Sequence, residues 1–209
     1  MPGVIRVAVI VLTFSAAILP SVRAAEPAPT LVIRVLDHAH TRSGVLIEAQ
    51  HHVIRVYGVA GINVVWREGE DDAPDARAQV TVLILSDAMT QDKTTKDRIS
   101  SGVLGTAAPP PGHRAWVFLH RIEDAASRQE QSAGLILGHV IVHEVAHMLA
   151  HLQHSIAGVM APTLQLRPDM LQAFTTEQSR QLRAAILADS GAAPLDARDR
   201  SRSFRPGNK

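Results

Sequence analysis

Between Glu130 and Ala150 the chain is apolar on most helical sides, through Leu135, Ile136, Leu137, Val140, Ile141, Val142, Val145, Met148 and Leu149. A helix of that kind belongs inside a domain, so the remainder of the chain has to be wrapped around it. The same stretch carries His139, His143, Glu144 and His147. Ionisable groups are expensive in an apolar interior unless they are paired or bound to a metal. A fold for this chain has to satisfy both demands at once.

His143-Glu144-Val145-Ala146-His147 is an HExxH pattern. Positions i and i+4 lie one turn apart on one helix face, so both imidazoles can point at a single ion. Glu144, beside the first imidazole, can reach a water on that ion without binding the ion itself, which suits a general base. Eleven histidines in 209 residues make a chance HExxH more frequent than usual. The weight therefore rests on the apolar helix around the motif. Zinc is the expected metal, and hydrolysis the expected chemistry, with Glu144 moving the proton.

A third ligand has three candidates: His154, His151 and Glu177. In an unbroken helix His151 would stand about 12 Å along the axis from His143, at 1.5 Å per residue, too far to share its ion. The helix must break before a third histidine can fold back. His154 is followed by Ser155 and then by Gly158-Val159-Met160, a loop, and is preferred for that reason. Glu177 is the only glutamate after Glu144. His139 and His120 read as core or supporting histidines.

The flanking pattern gives an α+β domain. Thr30–Leu36, Ile62–Trp66, Gln79–Leu85 and Arg114–Arg121 read as strands, rich in β-branched and aromatic residues. Gly102–Thr106 reads as a short edge strand, closed off by the three prolines of Ala107–Gly112. Thr41–Ala60 reads as a helix with an apolar stripe through Leu46, Ala49, Val53, Val56 and Ala60, ended by Gly58 or Gly61. Asp87–Ser101 is polar and reads as an exposed loop. Thr175 and Gln178 have the spacing of a capping box for a last helix running to about Ala188. The expectation is a small mixed, twisted sheet with a buried helix bearing the site and a C-terminal helix.

The ends read differently. Met1–Arg6 is basic, Val7–Leu19 is a short apolar run, and Val22-Arg23-Ala24 presents small residues where a signal peptidase cuts. This is the pattern of a secretory signal peptide over residues 1–24, and the run is too short to anchor the chain in a membrane. Export to the periplasm or the medium is expected, with no stable membrane insertion afterwards. Removing the leader takes away Arg6 and Arg23, turning the formal charge of +1 into −1. A nearly neutral chain has no field for nucleic acid. The absence of cysteine excludes thiol catalysis, thiolate zinc ligands and disulfide staples. The domain is expected over 25–189, with a basic tail over 190–209.

The stretch HEVAHMLAHLQHSIAGVM resembles the zinc site of the metzincin clan of metallopeptidases, in which an HExxH helix is followed by a third histidine and a methionine-containing turn beneath the metal. It is similar also to bacterial secreted proteins with HExxH, a His-Ser pair and then Gly-aliphatic-Met. The resemblance implies a zincin fold, His143, His147 and His154 as zinc ligands, Glu144 as general base, Met160 as the turn methionine, and a peptide or protein substrate. The chain departs from the usual pattern in two ways. Ala150 stands where the bend glycine is expected, and position 153 is Gln153, so the third histidine comes one residue late. No tyrosine follows Met160, and the single tyrosine is Tyr57, so no oxyanion-stabilising side chain can be named. The competing reading is a non-catalytic, secreted metal-binding or interaction domain that uses the same histidine cluster.

Overall fold

Leu31, Ile33 and Val35 alternate with more exposed residues along Thr30–Asp37, and this period of two makes strand β1. The computed structural model describes residues 28–69, 79–109, 113–163, 166 and 170–191. The expected leader, and the expected tail beyond residue 191, lie outside the described residues.

After β1 come α1 (Ser43–Val59), β2 (Asn63–Glu68), β3 (Gln79–Leu85), α2 (Asp87–Asp97), β4 (Gly105–Ala107) and β5 (Arg114–Phe118). The chain continues into α3 (Leu119–Gln129), α4 (Ala133–Ala150) and α5 (Thr176–Gly191). The five strands form one mixed sheet in the order β2-β1-β3-β5-β4. All neighbours are parallel except β4, which runs antiparallel to β5 at the edge, pairing Thr106 with Trp116. The inner face of the sheet, with Leu31, Ile33, Val35, Val80, Val82, Ile84, Ala115 and Val117, is buried in one apolar cluster with residues of α1 and α4.

Helix α1 has the expected stripe: Leu46, Ala49, Val53 and Val56 are buried, together with His52 and Tyr57. It is capped at Ala60, and Gly61 follows at φ 74. Helix α4 is long and apolar enough to cross a membrane by length and composition, yet most of it is buried in the fold, as expected of a core helix. Ser132 caps it by accepting from Gly134 N at 3.2 Å. The capping box of α5 is formed, with Thr175 N donating to Gln178 Oε1 at 3.0 Å and Gln178 N to Thr175 Oγ1 at 3.2 Å.

Two segments differ in kind from their sequence reading, and the edge strand expected over Gly102–Thr106 is Gly105–Ala107. Asp87–Asp97 is a helix, not a loop. Only Thr90 is buried in it, so there is no apolar stripe to show the helical period. It lies on the outer face of the sheet, where Lys93 Nζ sits 3.7 Å from the centre of the Trp116 ring. The strand expected to reach Arg121 stops at Phe118, and Leu119–Gln129 is helical. Its buried face is Leu119, Ile122, Ala125 and Ala126, a stripe at helical spacing opposite a charged and polar face. Glu130 ends α3 in the left-handed region at φ 51, so α4 begins at Ala133 rather than at Glu130.

Helices α1 and α4 cross closely because Gly138 has no side chain. A Cβ there would lie 2.8 Å from Ala49 O and 2.8 Å from His52 Cβ. Gly138→Ala is expected to destabilise the protein by about 1–3 kcal/mol through overpacking. Thermal unfolding checks this at roughly 2–4 °C per kcal/mol for a domain of this size; an unchanged Tm would mean the helices can part freely.

Candidate metal centre

Helix α4 presents His143 and His147 one turn apart, with ring centres 4.6 Å from each other and planes at 80°. The helix ends at Ala150, and His151 takes left-handed backbone angles, φ 50 and ψ 34. That residue turns the chain, Leu152 anchors it in the core with 4% exposure, and His154 comes back over the helix. The Nε2 atoms of His143 and His147 are 3.0 Å apart, and each lies 3.2 Å from His154 Nε2.

The other ring nitrogens decide what those three atoms can do. His143 Nδ1 lies 2.9 Å from Val159 O, and His147 Nδ1 lies 2.5 Å from Leu152 O. A carbonyl can only accept, so Nδ1 carries the hydrogen in both rings and Nε2 is left with a bare lone pair. Lone pairs converging at this distance repel unless a cation lies between them. Zn–N bonds of 2.0–2.1 Å in a tetrahedron put ligand nitrogens about 3.3 Å apart, close to the spacing found. The carbonyls play the orienting part that metal-binding histidines commonly require. The three imidazoles therefore fit a divalent ion.

Val159 belongs to the Gly158-Val159-Met160 turn. Its carbonyl orients His143, while Met160 is fully buried and its carbonyl accepts from Ser155 N at 2.9 Å. The turn thus supports the site from below. Burial holds His143 well under the usual imidazole range, at about 4, against the opposing hydrogen bond to Val159. His147 is lowered as well, chiefly by burial.

The other candidates for third ligand stand elsewhere. His151 forms the exposed bend. Glu177 binds Arg180 through Oε2 at 2.9 Å and through Oε1 at 2.6 Å, and accepts from Gln181 at 2.8 Å. His120 is not a core residue; its side chain is 58% exposed and lies 3.6 Å from Asp124. His139 is buried on α4. Tyr57 is buried under α4, and its hydroxyl donates to Val142 O at 3.3 Å.

Glu144 lines a cleft of about 340 Å³ with the three histidines, the segment Gly102–Thr106, His139, Val140, Ala161 and Pro162. Burial raises its carboxyl to about 7; a cation beside it would favour the charged form. Strand β4 crosses close above, and a Cβ on Gly105 would meet Val140 Cγ1 at 2.8 Å and Glu144 Cγ at 3.0 Å. The need for glycine at 105 could not be read from the sequence, because the strand and the helix meet only in the fold.

No known family profile matches the chain, and no curated protein matches it. Among solved structures it is similar to archaemetzincin from Methanopyrus kandleri, with 13% identity, a TM-score of 0.45, and coverage of 78% of this chain and 99% of that one. It is similar also to a Thermotoga maritima protein solved in solution, with 12% identity, a TM-score of 0.38, and coverage of 85% and 99%.

Two buried histidines nearby give the protein an acid-sensitive interface. His52 on α1 and His139 on α4 have ring centres 6.1 Å apart. Burial lowers His52 to about 4, with Arg55 adding to it, and lowers His139 to about 3, with His52 and His143 adding. Unfolded, both titrate near 6.5. Below pH 6.5 the unfolded chain takes up these protons while the folded one does not, so stability falls with falling pH down to about 4. Each residue is expected to contribute a slope of up to about 1.4 kcal/mol per pH unit in that window. Denaturant unfolding at pH 7 and pH 5 measures the loss, and His52→Leu should reduce it. A variant with the same pH dependence as wild type would refute the assignment.

Proposed function

We propose that the protein is an exported zinc-dependent peptidase with a metzincin-like site. The observation that carries this reading is the convergence of three imidazole lone pairs beside a carboxylate in an open cleft. His143, His147 and His154 would hold the ion. Zinc in that position supplies a Lewis acid that polarises a carbonyl and acidifies water.

The remaining steps belong to the protein. The carbonyls of Val159 and Leu152 keep His143 and His147 in the metal-binding tautomer. Glu144 takes a proton from the attacking water on its carboxylate and returns it to the leaving amine. Strand β4 pairs with β5 on one side only, and its residues line the cleft. An extended peptide can add to that edge by main-chain hydrogen bonds and so bring its scissile carbonyl over Glu144.

The test is direct. Full-length protein stripped with a chelator should cleave no member of a broad peptide library, and one equivalent of zinc should restore cleavage. Zinc-loaded protein that cleaves nothing would leave the metal-binding reading and remove the peptidase. For export, N-terminal sequencing of protein recovered outside the cytoplasm should begin at Ala25; an intact Met1 would refute it.

A further inference from the structure

His139 lines the cleft one turn before His143 on α4, yet has only 4% of its surface exposed. Its Nδ1 is sealed in the α1–α4 interface without a hydrogen-bond partner, and so are both ring nitrogens of the neighbouring His52. Nε2 of His139 is the nitrogen not sealed off. Burial keeps the ring neutral, so it carries one hydrogen. His52, kept neutral in the same way, already holds one N–H without a partner in that interface, and a hydrogen on His139 Nδ1 would add a second unpaired buried donor beside it. The hydrogen therefore belongs on Nε2, making His139 a neutral donor at the cleft floor. Among the described residues, Thr106 is the only side chain with hydrogen-bonding capacity that lines the cleft besides His139, the three histidines and Glu144.

We propose that His139 is a specificity-determining residue whose Nε2–H selects a substrate residue bearing a side-chain amide, asparagine or glutamine, over an apolar side chain of the same size. The inference rests on the peptidase reading. A hydrocarbon seated on the floor would strip water from the donor and leave it unpaired, whereas an amide oxygen accepts from it.

Zinc-loaded full-length protein should be given matched peptides that differ only in Asn or Leu, or in Gln or Met, at each of three positions on either side of the cleaved bond. At one position the amide should exceed its apolar counterpart in kcat/KM by about tenfold or more. His139→Leu should invert the amide-to-hydrocarbon ratio at that position with zinc content intact, and His139→Gln, which keeps a donor, should preserve it. Imidazole ¹⁵N NMR of the full chain should show the Nε2–H tautomer at His139. Equal rates across each set, an unchanged ratio in His139→Leu, or an Nδ1–H tautomer would overturn the proposal. If His139→Leu does not fold, the wild-type ratios and the NMR decide alone. Cleavage without an amide preference refutes this inference only; no cleavage of any peptide refutes the peptidase itself.

Discussion

Glu144→Ala is expected to lower kcat by about 10²–10⁴, the usual contribution of a positioned proton carrier, while zinc content stays at about one per chain. The carboxylate lines the cleft beside the three imidazoles but is not among the atoms that converge, so its loss should leave the ion in place. Glu144→Gln keeps the shape and hydrogen-bonding reach without a proton-accepting carboxylate, and it should be as impaired as the alanine variant. Metal analysis beside steady-state kinetics separates the two roles. Undiminished turnover in either variant would move the protein to the non-catalytic metal-binding reading. Loss of zinc in both would make Glu144 a ligand.

The second large effect is expected at the bend. His154→Ala should weaken zinc binding by more than about 100-fold, since changes even to groups that only orient a ligand cost 10–100-fold. His154 is exposed apart from its contacts with the other two rings, so the fold itself should survive its loss. His151→Gly should behave in the opposite way. His151 holds φ 50, and a side chain in left-handed backbone costs about 1–2 kcal/mol relative to glycine. The variant should therefore gain about 1 kcal/mol in stability and keep its zinc. Competition titration with a chromophoric chelator, with thermal unfolding alongside, measures both. If His151→Gly lost the metal and His154→Ala kept it, the ligand set would be wrong.

This pair of residues also shows what the sequence could reveal. HExxH on an apolar helix was legible because the i, i+4 spacing settles which face both imidazoles share, whatever surrounds them. The approach of His154 to the other two rings was legible because an unbroken helix would carry later histidines away from them. The break itself was hidden. The usual signal is a glycine, expected at Ala150, whereas the left-handed residue is His151, three before His154. The bend and the third histidine are both one residue late, so the return of the chain to the helix is preserved. Helix α2 was hidden because it buries almost nothing, whereas α3 does carry a stripe at helical spacing through Leu119, Ile122 and Ala126, beginning directly after the strand. The cleft was the least legible part. Gly105, and the solvent access left to His139, acquire meaning only when β4 is laid across α4.

Zinc K-edge X-ray absorption on the full-length protein carrying one equivalent of the metal tests the central claim most directly. The account predicts three imidazole nitrogens at about 2.0–2.1 Å, with the remaining coordination from oxygen. Two imidazoles, or a fourth in place of the oxygen, would contradict it.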